Sequence, residues 1–253
     1  MPSVKIISNS IEGIRLPELR SVDLSQKFTL VEDFYGTWAI GDAGPADKWS
    51  STAGSGTGNA VATTVANSVN GEVTLTSASD DGAHGANCSS LTGINLPFKA
   101  SQGGLAMEVK VKVDDVSEAV LFVGFTDTIS TTVELPIFMN AADLDSDAAN
   151  ACGVIYDVDA TTDQFYVGGV KANTDTAPTA DTAIVPTDGT YVTIRVEVDT
   201  DGVVTGYVDG VSLGSVAAAV TTTTALTPAV VVGNRSANQV IATIDYIWVQ
   251  QDR

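Results

Sequence analysis

Residues 191–214 read YVTIRVEVDTDGVVTGYVDGVSLG, and this stretch decides the fold class. Val192, Ile194, Val196 and Val198 alternate with Thr193, Arg195 and Glu197, the period-two pattern of a strand with one buried and one solvated face. Asp201-Gly202 and Asp209-Gly210 are the dipeptides that hairpin turns favour, because glycine enters the positive-φ region at little steric cost. Strand, turn, strand, turn, strand is therefore predicted across two dozen residues, and an antiparallel all-β domain is the class this implies.

The same signals recur outward from this hairpin. Residues 105–113, LAMEVKVKV, alternate cleanly: Leu105, Met107, Val109, Val111 and Val113 point inward, and Glu108, Lys110 and Lys112 outward. Residues 119–125, AVLFVGF, are apolar on both faces, as a central strand covered on both sides would be. Gly124 within it leaves room for close approach of a neighbour. A second hairpin is predicted over 153–157 and 164–170, with Asp157, Asp159 and Asp163 as turn and capping residues. Residues 229–233 and 240–249 supply the last strands, with Trp248 expected in the core because its run, VIATIDYIWV, is almost continuously apolar. Residues 28–35 open the body and 72–77 form a short strand. Residues 50–70, rich in Ser, Thr, Gly, Ala and Asn and without charge, read as a loop with one edge strand. Residues 126–152 form an excursion of a length that usually binds or packs on something. The alanine and threonine run at 217–226 is the one helix candidate, and its four consecutive β-branched threonines argue against it. About eleven to thirteen short strands in two packed antiparallel sheets are expected.

At 253 residues the chain is long enough to form one large all-β domain without staples. The net charge is −19 and unevenly placed. Residues 1–27 hold four basic residues (Lys5, Arg15, Arg20, Lys27) against three acidic ones. Setting these aside from totals of 12 and 31 leaves the body with 8 basic and 28 acidic residues, a net charge of −20. Such a body repels DNA and anionic lipid surfaces, which excludes nucleic acid and membrane as main partners. No apolar run approaches the ~18–20 residues of a membrane span, and charges interrupt the N-terminal stretch where a signal peptide would need an apolar segment. Synthesis in the cytoplasm is expected. Residues 1–27 read as an extended arm separate from a sandwich over 28–253. In the arm, Ile6, Ile7, Ile11, Ile14 and Leu16 would give apolar contact to a partner, and Lys5, Arg15 and Arg20 polar anchoring.

No set of residues gathers into a catalytic or metal-binding pattern. Asp143, Asp145 and Asp147 imitate the start of an EF-hand, but the sixth position is Ala148 and the twelfth Val154, where Gly and Glu are needed. His84 is the single histidine, and no GxSxG elbow accompanies it. Glu197 and Asp199 have alternate spacing on one strand, yet the alternation puts them outside, beside a turn, rather than across a scissile bond. Cys88 and Cys152 lack CxxC spacing and are more often buried thiols than a bridge. Neither catalytic activity, metal nor cofactor is expected. Exposed aromatics could stack on sugar rings; Trp38 and Trp49 lead these candidates, with Tyr35, Tyr166 and Tyr207 beside them.

LVEDFYGTW, GGLAMEVKVKVDDVSEAVLFVGFTD, GTYVTIRVEVDTDGVVTGYVDG and the terminal IDYIWV together resemble the concanavalin A-like (laminin G-like) jelly-roll sandwich over about residues 28–249. Against its glucan-hydrolysing members, whose signature is E-x-D-x-x-E, this chain has Glu197 and Asp199 followed by Gly202 in place of the second Glu. The Asp/Asn pair of legume-type metal sites is also missing. The whole chain further resembles structural proteins of tailed bacteriophages. That resemblance implies a virion protein, a capsid decoration (cement) protein or head fibre, that binds the major capsid protein or another virion protein through its N-terminal arm and assembles as a homo-oligomer, a trimer foremost. The alternative is a carbohydrate-binding module or tail-fibre receptor-binding domain.

Overall fold

The computed structural model describes residues 27–34, 49–66, 68, 71–80, 87–93, 95, 97–128 and 135–253. The predicted arm residues Lys5, Ile6, Ile7, Ile11, Ile14, Arg15, Leu16 and Arg20, together with Tyr35, Trp38 and His84, lie outside them. The described residues form sixteen strands: β1 Lys27–Glu32, β2 Trp49–Ala53, β3 Ala60–Thr64, β4 Val73–Thr76, β5 Ser89–Gly93, β6 Leu105–Val113, β7 Ala119–Thr126, β8 Phe138–Asn140, β9 Asp143–Asp145, β10 Asn150–Asp157, β11 Phe165–Lys171, β12 Val192–Val198, β13 Val204–Val208, β14 Val211–Val216, β15 Thr227–Asn234 and β16 Ile241–Asp252. One sheet has eight strands in the order β14-β13-β12-β6-β16-β4-β3, with β1 also on β16. The other has six in the order β11-β10-β7-β15-β5-β2. Every strand pair is antiparallel. The expected all-β, two-sheet sandwich of concanavalin A-like form is the fold observed.

The hairpins form where the turn residues put them. Asp209 and Gly210 both have positive φ, 50° and 78°, which matches the twist of the flanking strands. At the preceding turn the Asp199 carboxylate accepts from the backbone of Asp201 at 2.9 Å and of Val203 at 2.8 Å. Between the sheets, Met107, Val109, Val196, Ile247 and Val249 meet Leu121, Val123, Phe125, Val154 and Val230. Each such side chain contributes about 1.5–3 kcal/mol of burial free energy, an upper estimate given a compact unfolded state.

β7 is buried along its whole length because both of its faces are covered. Its odd-numbered residues enter the core between the sheets, while Val120 and Phe122 face a second apolar cluster. Leu135, Ile137, Phe138, Met139 and Leu144 of the excursion belong to that cluster. The long excursion thus folds back on the six-stranded sheet, with β8 and β9 pairing as a small hairpin. Gly124 stands opposite Gly153 on β10, and a Cβ at Gly124 would lie 2.2 Å from the Cys152 carbonyl oxygen. The close approach expected there is therefore between two backbones.

Asp157 anchors this excursion. Its carboxylate accepts from the backbone of Asp159 at 3.1 Å, as a turn-capping Asp should. It is nevertheless wholly buried, accepts from Met139 N–H in the excursion at 2.9 Å and takes both Nε (2.9 Å) and Nη2 of Arg235. Arg235, its side chain 5% exposed, also lies over the Phe138 ring, 5.4 Å from its centroid. Burial pushes the Asp157 carboxyl up, against the opposing pull of Arg235.

Residues 174–184 strap one edge of the sandwich. Thr179 bridges to Val167 and Asp175 to Val170, Phe165 N–H donates to Ile184 O at 3.0 Å, and Asp181 N–H donates to Leu213 O at 2.7 Å. The edges of β11 and β14 are thus covered by one segment, which removes two exposed pairing templates.

Three expectations need correction. Residues 50–70 supply two strands rather than one: β2 and β3, each at the edge of a different sheet. Small polar residues suffice there because an edge strand buries little. The last strand runs to Asp252 rather than to 249, held by pairing with β1. Trp248 is not in the core. A β-bulge between Ile244 and Tyr246 inserts one residue, so inward positions shift from Ala242 and Ile244 to Ile247 and Val249. Tyr246 and Trp248 are thereby turned to the outer face.

Candidate functional site

With the outer face of the six-stranded sheet covered by the excursion, the outer face of the eight-stranded sheet is, among the described residues, the one that presents side chains to solvent. Strand register aligns a row across it. Tyr207 on β13 stands opposite Arg195 on β12, Arg195 opposite Glu108 on β6, Glu108 opposite Trp248 on β16 and Trp248 opposite Val31 on β1. A neighbouring row runs Thr193, Lys110, Tyr246. These meet because alternation places all of them on one face and register brings them level.

Arg195 is the centre of the row. Its Nε donates to Glu197 Oε1 at 2.8 Å, Nη2 reaches the same oxygen at 2.7 Å, and Nη1 reaches Glu108 Oε2 at 3.4 Å. Its guanidinium carbon lies 5.3 Å from the Trp248 ring centroid, within cation–π range. Tyr246 donates its hydroxyl to Glu108 Oε1 at 2.8 Å and Tyr207 donates to Glu197 Oε2 at 3.5 Å. Partial burial pulls the Arg195 guanidinium down, but its bonds to Glu197 and Glu108 outweigh this and the net direction is up. Partial burial, then the bond to Glu108, pushes the Tyr246 hydroxyl up to about 12. Partial burial and the Glu197 charge likewise raise Tyr207. Both tyrosines stay protonated donors at neutral pH.

A second group adjoins the row. Lys110 pairs with Asp245 at 2.6 Å, Lys110 and Lys112 lie over the Tyr191 ring at 5.0 and 4.5 Å, and the Tyr191 hydroxyl bonds Glu72. The face therefore carries partly exposed aromatic rings fixed by paired charges. It suits a ligand with apolar patches to stack on rings and hydroxyls to donate to the carboxylates.

Of the aromatics expected from sequence, Tyr207 is in this row. Trp49 is a correction: it is 2% exposed and belongs to the core between the sheets, so its ring is not available to a surface ligand. The start of β2 points it inward, where a large ring fills the sandwich edge. Tyr166 packs against the outer apolar cluster and donates to Thr162 O at 3.0 Å. Trp248 and Tyr246 were missed as surface residues; the three-residue spacing of Ile244 and Ile247 across Asp245 was the available signal. Glu197 lies on the outer face as expected, held by Arg195, and Asp199 caps its turn. Asp143, Asp145 and Asp147 are exposed on and beside β9, and among the described residues no three His, Cys, Asp or Glu side chains gather as metal ligands. Cys88 and Cys152 are thiols buried on opposite faces of the six-stranded sheet.

The described residues define an all-β sandwich of the concanavalin A-like class. No protein-family model matches the sequence, and no curated protein matches it. Solved structures are similar in fold. The β-glucanase of Bacillus licheniformis is 13% identical with a TM-score of 0.54, over 87% of this chain and 97% of that one. The carbohydrate recognition domain of Emp47p is 12% identical with a TM-score of 0.57, over 90% and 98%. A protein of unknown function from Shewanella oneidensis MR-1 is 17% identical with a TM-score of 0.55, over 90% and 87%. At these identities the likeness is one of architecture.

Proposed function

We propose that this chain is a non-enzymatic carbohydrate-binding module whose site is the outer face of the eight-stranded sheet. The observation that carries the reading is the cross-strand row Tyr207–Arg195–Glu108–Trp248, with Tyr246 beside it. Aromatic rings for stacking and fixed hydrogen-bonding groups stand together on the large sheet face that the other described residues leave open. The likeness in fold to a carbohydrate recognition domain and to a glucanase supports it. A glycosidase needs one carboxyl set to deliver a proton and another to attack or activate water. In this row all four oxygens of Glu108 and Glu197 already take donors from Arg195, Tyr246 and Tyr207, which suits holding rather than cleaving.

Affinity electrophoresis and a glycan array test this. The chain is expected to be retained by at least one glycan, with Trp248→Ala and Tyr207→Ala each weakening retention about tenfold or more, as loss of a stacking ring does, while far-ultraviolet circular dichroism is unchanged. Absence of retention on every glycan, or full retention by both variants, overturns it. A virion role through residues 1–20 is a separate proposal that rests on the sequence resemblance; a tail-fibre receptor-binding domain would join the two. A chain lacking residues 1–20 that still attaches to particles would exclude the arm.

A further inference from the structure

Resting on the carbohydrate reading, we infer that this face takes an uncharged oligosaccharide laid across the strands, and not an acidic glycan. Recognition of a sugar carboxylate or sulfate requires a guanidinium or ammonium free to turn toward it. Here the cations within and flanking the row are paired with carboxylates of the same face, and Lys112, farther along β6, is held by the Tyr191 ring alone. Arg195 is shared between Glu197 and Glu108, Lys110 is held by Asp245, and Lys27 pairs with Asp252 at 3.3 Å. Lys112, like Lys110, lies over the Tyr191 ring. An anion could take Arg195 only by stripping it from two carboxylates, leaving both without their counter-charge. The long-range field opposes an anion as well, since the whole chain carries a net charge of −19.

An uncharged sugar meets none of these penalties. Its hydroxyl protons find lone pairs still open on Glu108 and Glu197, because a carboxylate offers about four acceptor sites and Arg195 and the tyrosines fill only part of them. Its apolar ring faces find Trp248 and Tyr207. These two are three strand spacings apart along the row, about 14 Å at ~4.8 Å per strand, a span that a short chain of sugars covers and a single ring does not.

The test measures binding of the full chain by calorimetry to an uncharged set (β-glucan, xylan, mannan, and cello-oligosaccharides from glucose to the tetrasaccharide) and an acidic set (alginate, polygalacturonate, hyaluronan). Both sets are measured at low salt and at about 0.5 M salt, where the Debye length falls to a few ångströms. The expected result is binding within the uncharged set alone, changing less than about twofold with salt, with a Trp248→Ala loss. Among the oligosaccharides of a bound type, affinity should rise at least about tenfold from one ring to four. Binding to any acidic glycan overturns the inference while leaving a carbohydrate module standing. Equal affinity for one ring and four overturns the cross-strand placement. Failure to bind either set removes the functional reading on which the inference rests.

Discussion

Arg235→Met would leave the carboxylate of Asp157 buried without its counter-ion. The methionine retains apolar bulk against Phe138, so packing changes little and electrostatics dominate. Breaking a buried ion pair from one side costs roughly 3–5 kcal/mol. Asp157 would keep the Met139 and Asp159 N–H donors, which places the expected loss near the lower end, about 3 kcal/mol. For a domain of this size that corresponds to a fall of about 6–12 °C in Tm. The loss also has a pH signature. Burial already raises the Asp157 carboxyl above its ordinary value of 3.8, so its contribution to stability is fully present below that value and is lost as pH rises through the native pKa. Removing the guanidinium moves the native pKa higher still. The gap between variant and wild type is thus expected to be large at about pH 7 and smaller at about pH 5, because protonation of the stranded carboxyl removes the uncompensated charge. Urea unfolding followed by circular dichroism at both pH values measures it. A loss under ~1 kcal/mol, or a gap equal at the two pH values, would refute Asp157–Arg235 as a buried ion pair that anchors the excursion.

Gly124→Ala would press a methyl group onto the Cys152 carbonyl across two tightly apposed strands; an unfolding free energy lowered by at least about 1–3 kcal/mol is expected, and an unchanged urea midpoint would contradict the apposition. Burial pushes the Cys88 and Cys152 thiols up to about 12, so a thiol reagent near pH 8 is expected to label neither in the native protein and both in denaturant; rapid native labelling of Cys88 would show the outer cluster to be open, and of Cys152 the core between the sheets. Tyr156 is likewise pushed up to about 12, by burial and then by nearby carboxylates. Since the unfolded chain loses these protons first, stability should decline as pH climbs from about 9 to about 12, and a flat urea midpoint across that range would argue against the burial.

The hairpin at 191–214 was legible because alternation, Asp-Gly turns and burial all point to the same strands. β6 and β7 were legible for the same reason, one by its period and the other by an unbroken apolar run. The bulge in β16 was not: strict alternation from Ala242 and Ile244 carries Tyr246 and Trp248 inward, and only one inserted residue reverses them. Trp248 in the candidate row and Tyr246 beside it depend on that reversal, so these two stayed hidden while Arg195, Glu197 and Tyr207 were placed correctly. Trp49 was misjudged for the opposite reason, since its polar neighbours belong to an edge strand whose first residue still reaches the core. Arg235 sits in a short polar connection with no periodicity, and its pairing with Asp157 arises from contact between residues far apart in the chain, which no local pattern encodes.

The excursion that seals one sheet and leaves the other bare separates two kinds of residue. Side chains that set the folding free energy lie between the sheets or beneath residues 135–148, whereas those proposed to meet a ligand stand on the outer face of the eight-stranded sheet. Exchanges at surface positions away from such features usually change stability by only ~0.5 kcal/mol. Trp248, Tyr207 and Thr193 can therefore be varied together in a library, and new ligand preferences selected, on a frame whose own tolerance for change is spent elsewhere.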